Sequence, residues 1–147
     1  MKTRALVMAG MMALTAMATT RVAQAQDRLA VNIPFDFVAG NTQLPAGEYT
    51  VQVSAPTHSL ILISRTDSTT SAFINTNAAV SSQPQSESKL VFNRYGDRYF
   101  LSQVWQQGNA QGRQLLKSAR EKEMAQIAKL EPQGQVTLVA GLPRTNR

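Results

Sequence analysis

Cysteine is absent from all 147 residues. That absence removes disulfides, a thiolate nucleophile, Cys-ligated metal and a lipidated N-terminal cysteine. Histidine occurs once, as His58, so a His-rich metal site is excluded as well. A general base needs an orienting carboxylate and a nucleophile beside it, and neither stands near His58 at a recognisable spacing. It follows Pro56-Thr57 and reads as an exposed turn residue. No EF-hand loop, Walker loop, GxSxG elbow or dinucleotide fingerprint occurs, and nothing implies a cofactor. There is no Asn-x-Ser/Thr sequon, no internal repeat and no long run of charge.

Long apolar runs are lacking too. The one candidate, Ala5 to Ala18, falls short of the roughly 20 residues that span a bilayer. Lys2 and Arg4 precede it, Thr19, Thr20 and Arg21 close it, and Ala23-Gln24-Ala25 supplies the small-x-small pattern that signal peptidase reads. Residues 1–25 are therefore predicted to be a secretory signal cleaved after Ala25, which places the chain in the periplasm or outside the cell. Residues 26–147 form one predicted domain, long enough to bury a core without staples. The whole chain carries a formal charge of +6, but losing Lys2, Arg4 and Arg21 leaves twelve basic residues against nine acidic ones. Such a mildly basic surface is not a nucleic-acid footprint. No membrane span is expected after cleavage.

What is present is alternation. Five of the nine aromatic residues lie between Lys89 and Gln106, in two runs flanking Gly96-Asp97. Gly then Asp suits a two-residue type II′ hairpin loop. A loop that tight sets Tyr95 against Arg98, Arg94 against Tyr99, Asn93 against Phe100 and Phe92 against Leu101. The period of two then puts Leu90, Phe92, Tyr99, Leu101 and Trp105 on one face.

Leu29 to Val38 reads as a half-buried strand, with Pro34 marking an edge or a bulge. Leu44-Pro45-Ala46-Gly47 reads as a type I turn leading into a second strand with Tyr49, Val51 and Val53 on one face. Leu60 to Ile63 suits a central strand. Ala72, Ile74, Thr76, Ala78 and Val80 mark another, and Val136, Leu138 and Ala140 a last one. Ser81 to Ser88 and Gln107 to Gly112 read as flexible polar loops. One helix is predicted over residues 119–130, from the capping box Ser118/Glu121 to Pro132 and Gly134, with Met124, Ile127 and Ala128 as its apolar stripe. The fold class is all-β with one short helix. It is an antiparallel β-sandwich or small barrel of about six to eight strands, with the C-terminal helix covering an end or an edge.

The segments NIPFDFVAGNTQLPAGEYTV (residues 32–51), LVFNRYGDRYFLSQVW (90–105) and GRQLLKSAREKE (112–123) resemble a group of small exported proteins of unknown function common in acidobacterial genomes. The resemblance spans most of the mature chain and implies an exported β-rich domain. It carries no catalytic or binding residues across.

Three functional readings remain. The favoured one is a non-enzymatic envelope or periplasmic domain that binds a glycan or an envelope protein, or has a structural part. Its candidate surface is an Arg/Tyr platform at the hairpin tip, Arg94, Tyr95, Arg98 and Tyr99, where aromatic faces stack and guanidinium groups bind carboxylates. The plainer role of those four is to pin hairpin register. The second reading is a barrel carrying a lipophilic ligand in an empty lumen. The third is a glycoside hydrolase using Asp36 and Glu48, which requires the two carboxylates to approach each other across the first two strands.

Overall fold

A computed structural model describes residues 28–54, 59–127 and 134–142. The predicted signal segment, His58 and the proposed helix end at 128–130, with Pro132, lie outside these residues. Ten strands and one helix follow in chain order. They are β1 (Arg28–Ile33), β2 (Phe37–Ala39), β3 (Thr42–Leu44), β4 (Gly47–Val53), β5 (Leu60–Arg65), β6 (Ser71–Val80), β7 (Ser88–Tyr95), β8 (Arg98–Trp105), β9 (Gln111–Leu115), α1 (Ala119–Ile127) and β10 (Gly134–Ala140). Among the described residues the chain is mostly β with one short helix. No helix among the described residues is long and apolar enough to cross a membrane.

The strand count exceeds the six to eight expected from the sequence, for identifiable reasons. Pro34 breaks the predicted first strand, because it cannot donate to a ladder. Before it, β1 pairs antiparallel with β4. After it, β2 pairs parallel with β8 at Tyr99 and Phe100, the one departure from antiparallel pairing among the described strands. Thr42–Leu44 adds a short partner for β2. Residues Gln111–Leu115, read in part as loop, form β9 against β6 and β8.

The sheet runs β1-β4-β5-β6-β9-β8, with β7 and then β10 on the other edge of β8. The first half of β6 bonds to β5 and its second half to β9, so this long strand carries the sheet around a corner. Past that corner the alternation changes phase: Ala79 is buried, whereas Ala78 and Val80 of the predicted apolar face are exposed. Ala30 and Gly141 exchange two backbone hydrogen bonds of 2.8 Å that bring β1 to the end of β10. This is one bridge and not a ladder, so the sheet is not closed into a barrel.

The hairpin of β7 and β8 has the register that its two-residue loop dictates. Tyr95 faces Arg98, Arg94 faces Tyr99, Asn93 faces Phe100 and Phe92 faces Leu101. Gly96 takes φ +63° while Asp97 stays on the negative side, which is the type II′ pattern. Beyond Leu101 the ladder shifts, and Val91 faces Gln103. The extra residue in β8 reverses its alternation. Leu101 and Val104 both enter the main core, whereas Trp105 turns to the other face and packs on Val91 and Ala79. The predicted placement of Trp105 on the Leu90/Phe92 face is thus corrected by the bulge.

The main core joins Leu29, Val31, Tyr49, Val51, Ile61, Ile63 and Ile74 from one half of the sheet to Leu44, Leu90, Phe92, Leu101, Val104 and Leu115 from the other. Phe37 meets Tyr49 and Phe92 edge-on at 5.3 and 5.5 Å. Phe35, in the break after Pro34, meets Phe92 edge-on at 5.2 Å and stacks on Tyr99 at 3.9 Å. Edge-to-face pairs of this kind contribute about 0.5–1.5 kcal/mol each beyond their buried area. These rings meet across the centre of the fold.

Helix α1 lies on the opposite face of the hairpin, over Val38, Tyr95 and Phe100, which it meets with Met124 and Ala125. It covers the hairpin near its tip. Ile127 of the predicted stripe is exposed. The buried position on the helix is Glu121, whose Oε1 accepts hydrogen bonds from Asn93 Nδ2 (3.0 Å) and Tyr95 OH (3.1 Å). Ser118 Oγ accepts from the Glu121 amide at 3.1 Å, the half of the capping box that holds the helix start.

Candidate functional site

The two ends of the β7–β8 hairpin differ in character. Eight residues of strand separate them, a span of about 26 Å.

At the tip, the four predicted platform residues fall on two faces. Arg94 and Tyr99 share one, with the guanidinium carbon 5.8 Å from the ring centroid. That guanidinium also donates through Nε to the Gly96 carbonyl at 2.7 Å. Tyr95 is 2% exposed, beneath α1, so it is a core residue and presents no surface. Tyr99 is half-buried with a ring face covered by Phe35. Arg98 is exposed and lines, with Tyr99, Asp36, Asp97 and Gln43, a cleft of about 230 Å³. The tip therefore keeps two exposed arginines but commits its aromatic faces to the fold.

Asp36 and Glu48 are both exposed. The Asp36 carboxylate accepts the Ala46 amide at 2.8 Å and so holds the 45–46 turn. Glu48 is not among the residues lining the cleft that contains Asp36. The two carboxylates share no described cleft, and one of them already has a structural hydrogen bond.

At the other end, two clefts meet. The larger, about 550 Å³, has Leu29 and Ala140 in its wall and Ser88, Gln106, Gln107 and Asn109 around it. The smaller, about 280 Å³, takes Val53 and Val104, with Gln111 and Arg113 beside them. Gln106 and Asn109 line both. The loop that carries them is held in place by the other polar loop. Ser81 N donates to Ala110 O (2.8 Å), Gly108 N to Gln85 O (2.8 Å) and Gln107 N to Ser88 Oγ (2.9 Å). Two segments that read as flexible are thus bonded to each other.

Gln106 Nε2 is buried and has no hydrogen-bond partner among the described residues. A buried donor without an acceptor costs about 1–3 kcal/mol, and such groups are few in folded proteins. The Gln106 side chain lines both clefts, beside Gln107 and Asn109 in one and Asn109 and Gln111 in the other. Once the side chain turns this group into either cleft, an oxygen of a bound molecule would meet its need.

None of Gln106, Asn109, Gln111 or Arg113 was a site candidate in the sequence. The available signal was compositional: two Ser/Gln/Asn-rich loops, SSQPQSES and QGNAQG, of matching character. Comparison with protein-family models, with curated proteins and with solved structures gives no match, so the resemblance to the acidobacterial group stands as a reading of the residues alone.

Proposed function

We propose that this chain is an exported, non-enzymatic binding domain of the envelope or periplasm, and that it holds a glycan in the amide-lined mouth around Gln106. The observation that carries the reading is the buried, unpartnered Nε2 of Gln106, a side chain that lines both clefts. Side-chain amides both donate and accept, as sugar hydroxyls do, so four of them around one mouth suit a hydroxyl-rich ligand. Polar groups few in number and convergent on a concave site are what fixes ligand orientation.

The rival readings have less support. A lipophilic carrier needs an empty lumen, whereas Phe37, Tyr49 and Phe92 fill the interior between the sheet halves. A hydrolase needs two convergent carboxylates, whereas Asp36 is engaged with the Ala46 amide.

The test is a glycan array probed with protein purified from the exported fraction. Gln106→Leu is expected to weaken binding about tenfold, the loss of one useful hydrogen bond. Arg94→Ala/Arg98→Ala, at the far end of the hairpin, is expected to change nothing. Were the arginine pair to lose binding and Gln106→Leu to keep it, the hairpin tip would be the site and this reading would be wrong.

A further inference from the structure

Among the described residues, the second lobe holds the one charged side chain that lines the mouth. Arg113 sits on β9 opposite Val104 of β8 and Ala78 of β6, which directs it to the same side of the sheet as Val104, a core residue. It is half-buried and lines the smaller cleft. Among the described residues neither lobe is lined by an aspartate or a glutamate. Among the described residues the ion pair is Arg65–Asp67, so Arg113 has no carboxylate partner there.

Building on the binding function proposed above, we infer that the mouth selects an acidic saccharide, its carboxylate on Arg113 and its hydroxyls on Gln106 and Asn109. A partly desolvated guanidinium without an anion is a costly arrangement on its own. It becomes favourable when a planar carboxylate takes its fork of donors in a bidentate pair. Gln106 and Asn109 line both lobes, so a ligand that lies over these two side chains touches the amide-rich cleft and the cation together. The larger lobe lies within the ordinary range of ligand sites. Its apolar lining is aliphatic, Leu29, Ala140 and Leu142, a surface for the C–H faces of sugar rings.

Trigalacturonate and its methyl ester differ in charge while keeping the same rings, and so isolate the claim. Wild-type protein should bind the acid about tenfold more tightly than the ester at low salt, and that margin should shrink as salt screens the pair. Arg113→Gln should bring acid and ester within about twofold of each other. Arg113→Lys, which keeps the charge and loses the fork, should recover part of the margin. Circular dichroism of each variant reports whether the sheet is intact.

Equal binding of acid and ester by wild type would overturn the inference, as would a margin that survives Arg113→Gln. So would a tripeptide with a free C-terminal carboxylate that binds more tightly than the uronate, since the mouth would then be a peptide site. Each of these leaves a ligand in the mouth. If instead Gln106→Leu leaves uronate binding untouched, the mouth itself is the wrong place, and the binding function proposed for it falls with it.

Discussion

Gly112 and Trp105 show how one residue can depend on another that lies seven positions away in sequence and on the neighbouring strand. A Cβ built on Gly112 would stand 2.5 Å from Trp105 Cε3, 2.7 Å from Cδ2 and 2.9 Å from Cζ3. Those are ring atoms of a buried indole whose Nε1 donates to Gln103 Oε1 at 3.0 Å, so the ring has little freedom to retreat. Gly112→Ala is expected to destabilise the protein by about 1–3 kcal/mol, the usual cost of overpacking. On a Trp105→Ala background the same change should cost much less, because the two residues share one contact. Trp105 is the sole tryptophan, so Gly112→Ala can be followed in urea by its fluorescence. The spectrum should also shift to the red if the indole is pushed towards water. An equal cost in both backgrounds would mean that Gly112 serves its strand in some other way. The sequence placed Gly112 in a loop. Nothing local says that a tryptophan lies on it, because that contact exists only after the bulge in β8 has turned Trp105 outward.

At the scale of elements, hairpin register was readable and the docking of the helix was not. A two-residue Gly-Asp loop leaves the strands one way to pair, so local sequence alone sets four cross-strand neighbours. The bulge further along depends on what the sheet must bury, and no turn chemistry announces it. Helix α1 fails differently. Helical periodicity marks Met124, Ile127 and Ala128 as its apolar stripe, yet the helix is anchored by a carboxylate that apolar periodicity passes over. Glu121 is 4% exposed and gives one oxygen to two donors from β7. Glu121→Ala should therefore cost about 2 kcal/mol or more, since buried donors lose their shared acceptor. Ser118→Ala should cost about 1 kcal/mol, the loss of an N-cap. Glu121→Gln, which keeps an acceptor oxygen, should be the mildest of the glutamate changes. Amide exchange would locate the damage: β7 and β8 near the tip should lose protection in Glu121→Ala, while β4 and β5 should not. Uniform loss across the sheet would show that α1 is not a separable cover.

For the whole molecule, alternation revealed the strands and their inward faces but not the order in which they pair. Order depends on long-range choices, such as Pro34 sending β2 to β8, that a period of two cannot encode. One consequence of that order is a pH dependence. Tyr49 on β4 is buried where the two halves of the sheet meet, its ring against Phe37 and its hydroxyl donating to the Pro45 carbonyl at 2.6 Å. Burial pushes this hydroxyl above the ordinary value of 10.0; Arg65 opposes the shift, and Asp67 and Asp36 add to it. Because the folded value is raised, the contribution is complete below the unfolded value near 10. It is lost as pH climbs through the folded value, since the unfolded chain sheds this proton first. At the acid end Asp67 behaves in the opposite sense. Thr69 donates to its carboxylate through hydroxyl and amide, holding it below the ordinary 3.8, so this smaller, fully exposed contribution disappears as pH falls through the lowered value. Tyr49→Phe should cost about 1 kcal/mol at neutral pH, where it removes one hydrogen bond. The gap from wild type should then narrow steadily above pH 10, because phenylalanine has no proton to lose. Urea midpoints measured across the alkaline range test this. In the ultraviolet titration, Tyr49→Phe should remove one late-ionising tyrosine from the wild-type curve. A gap that stays constant with pH would detach alkaline stability from the contact between the sheet halves.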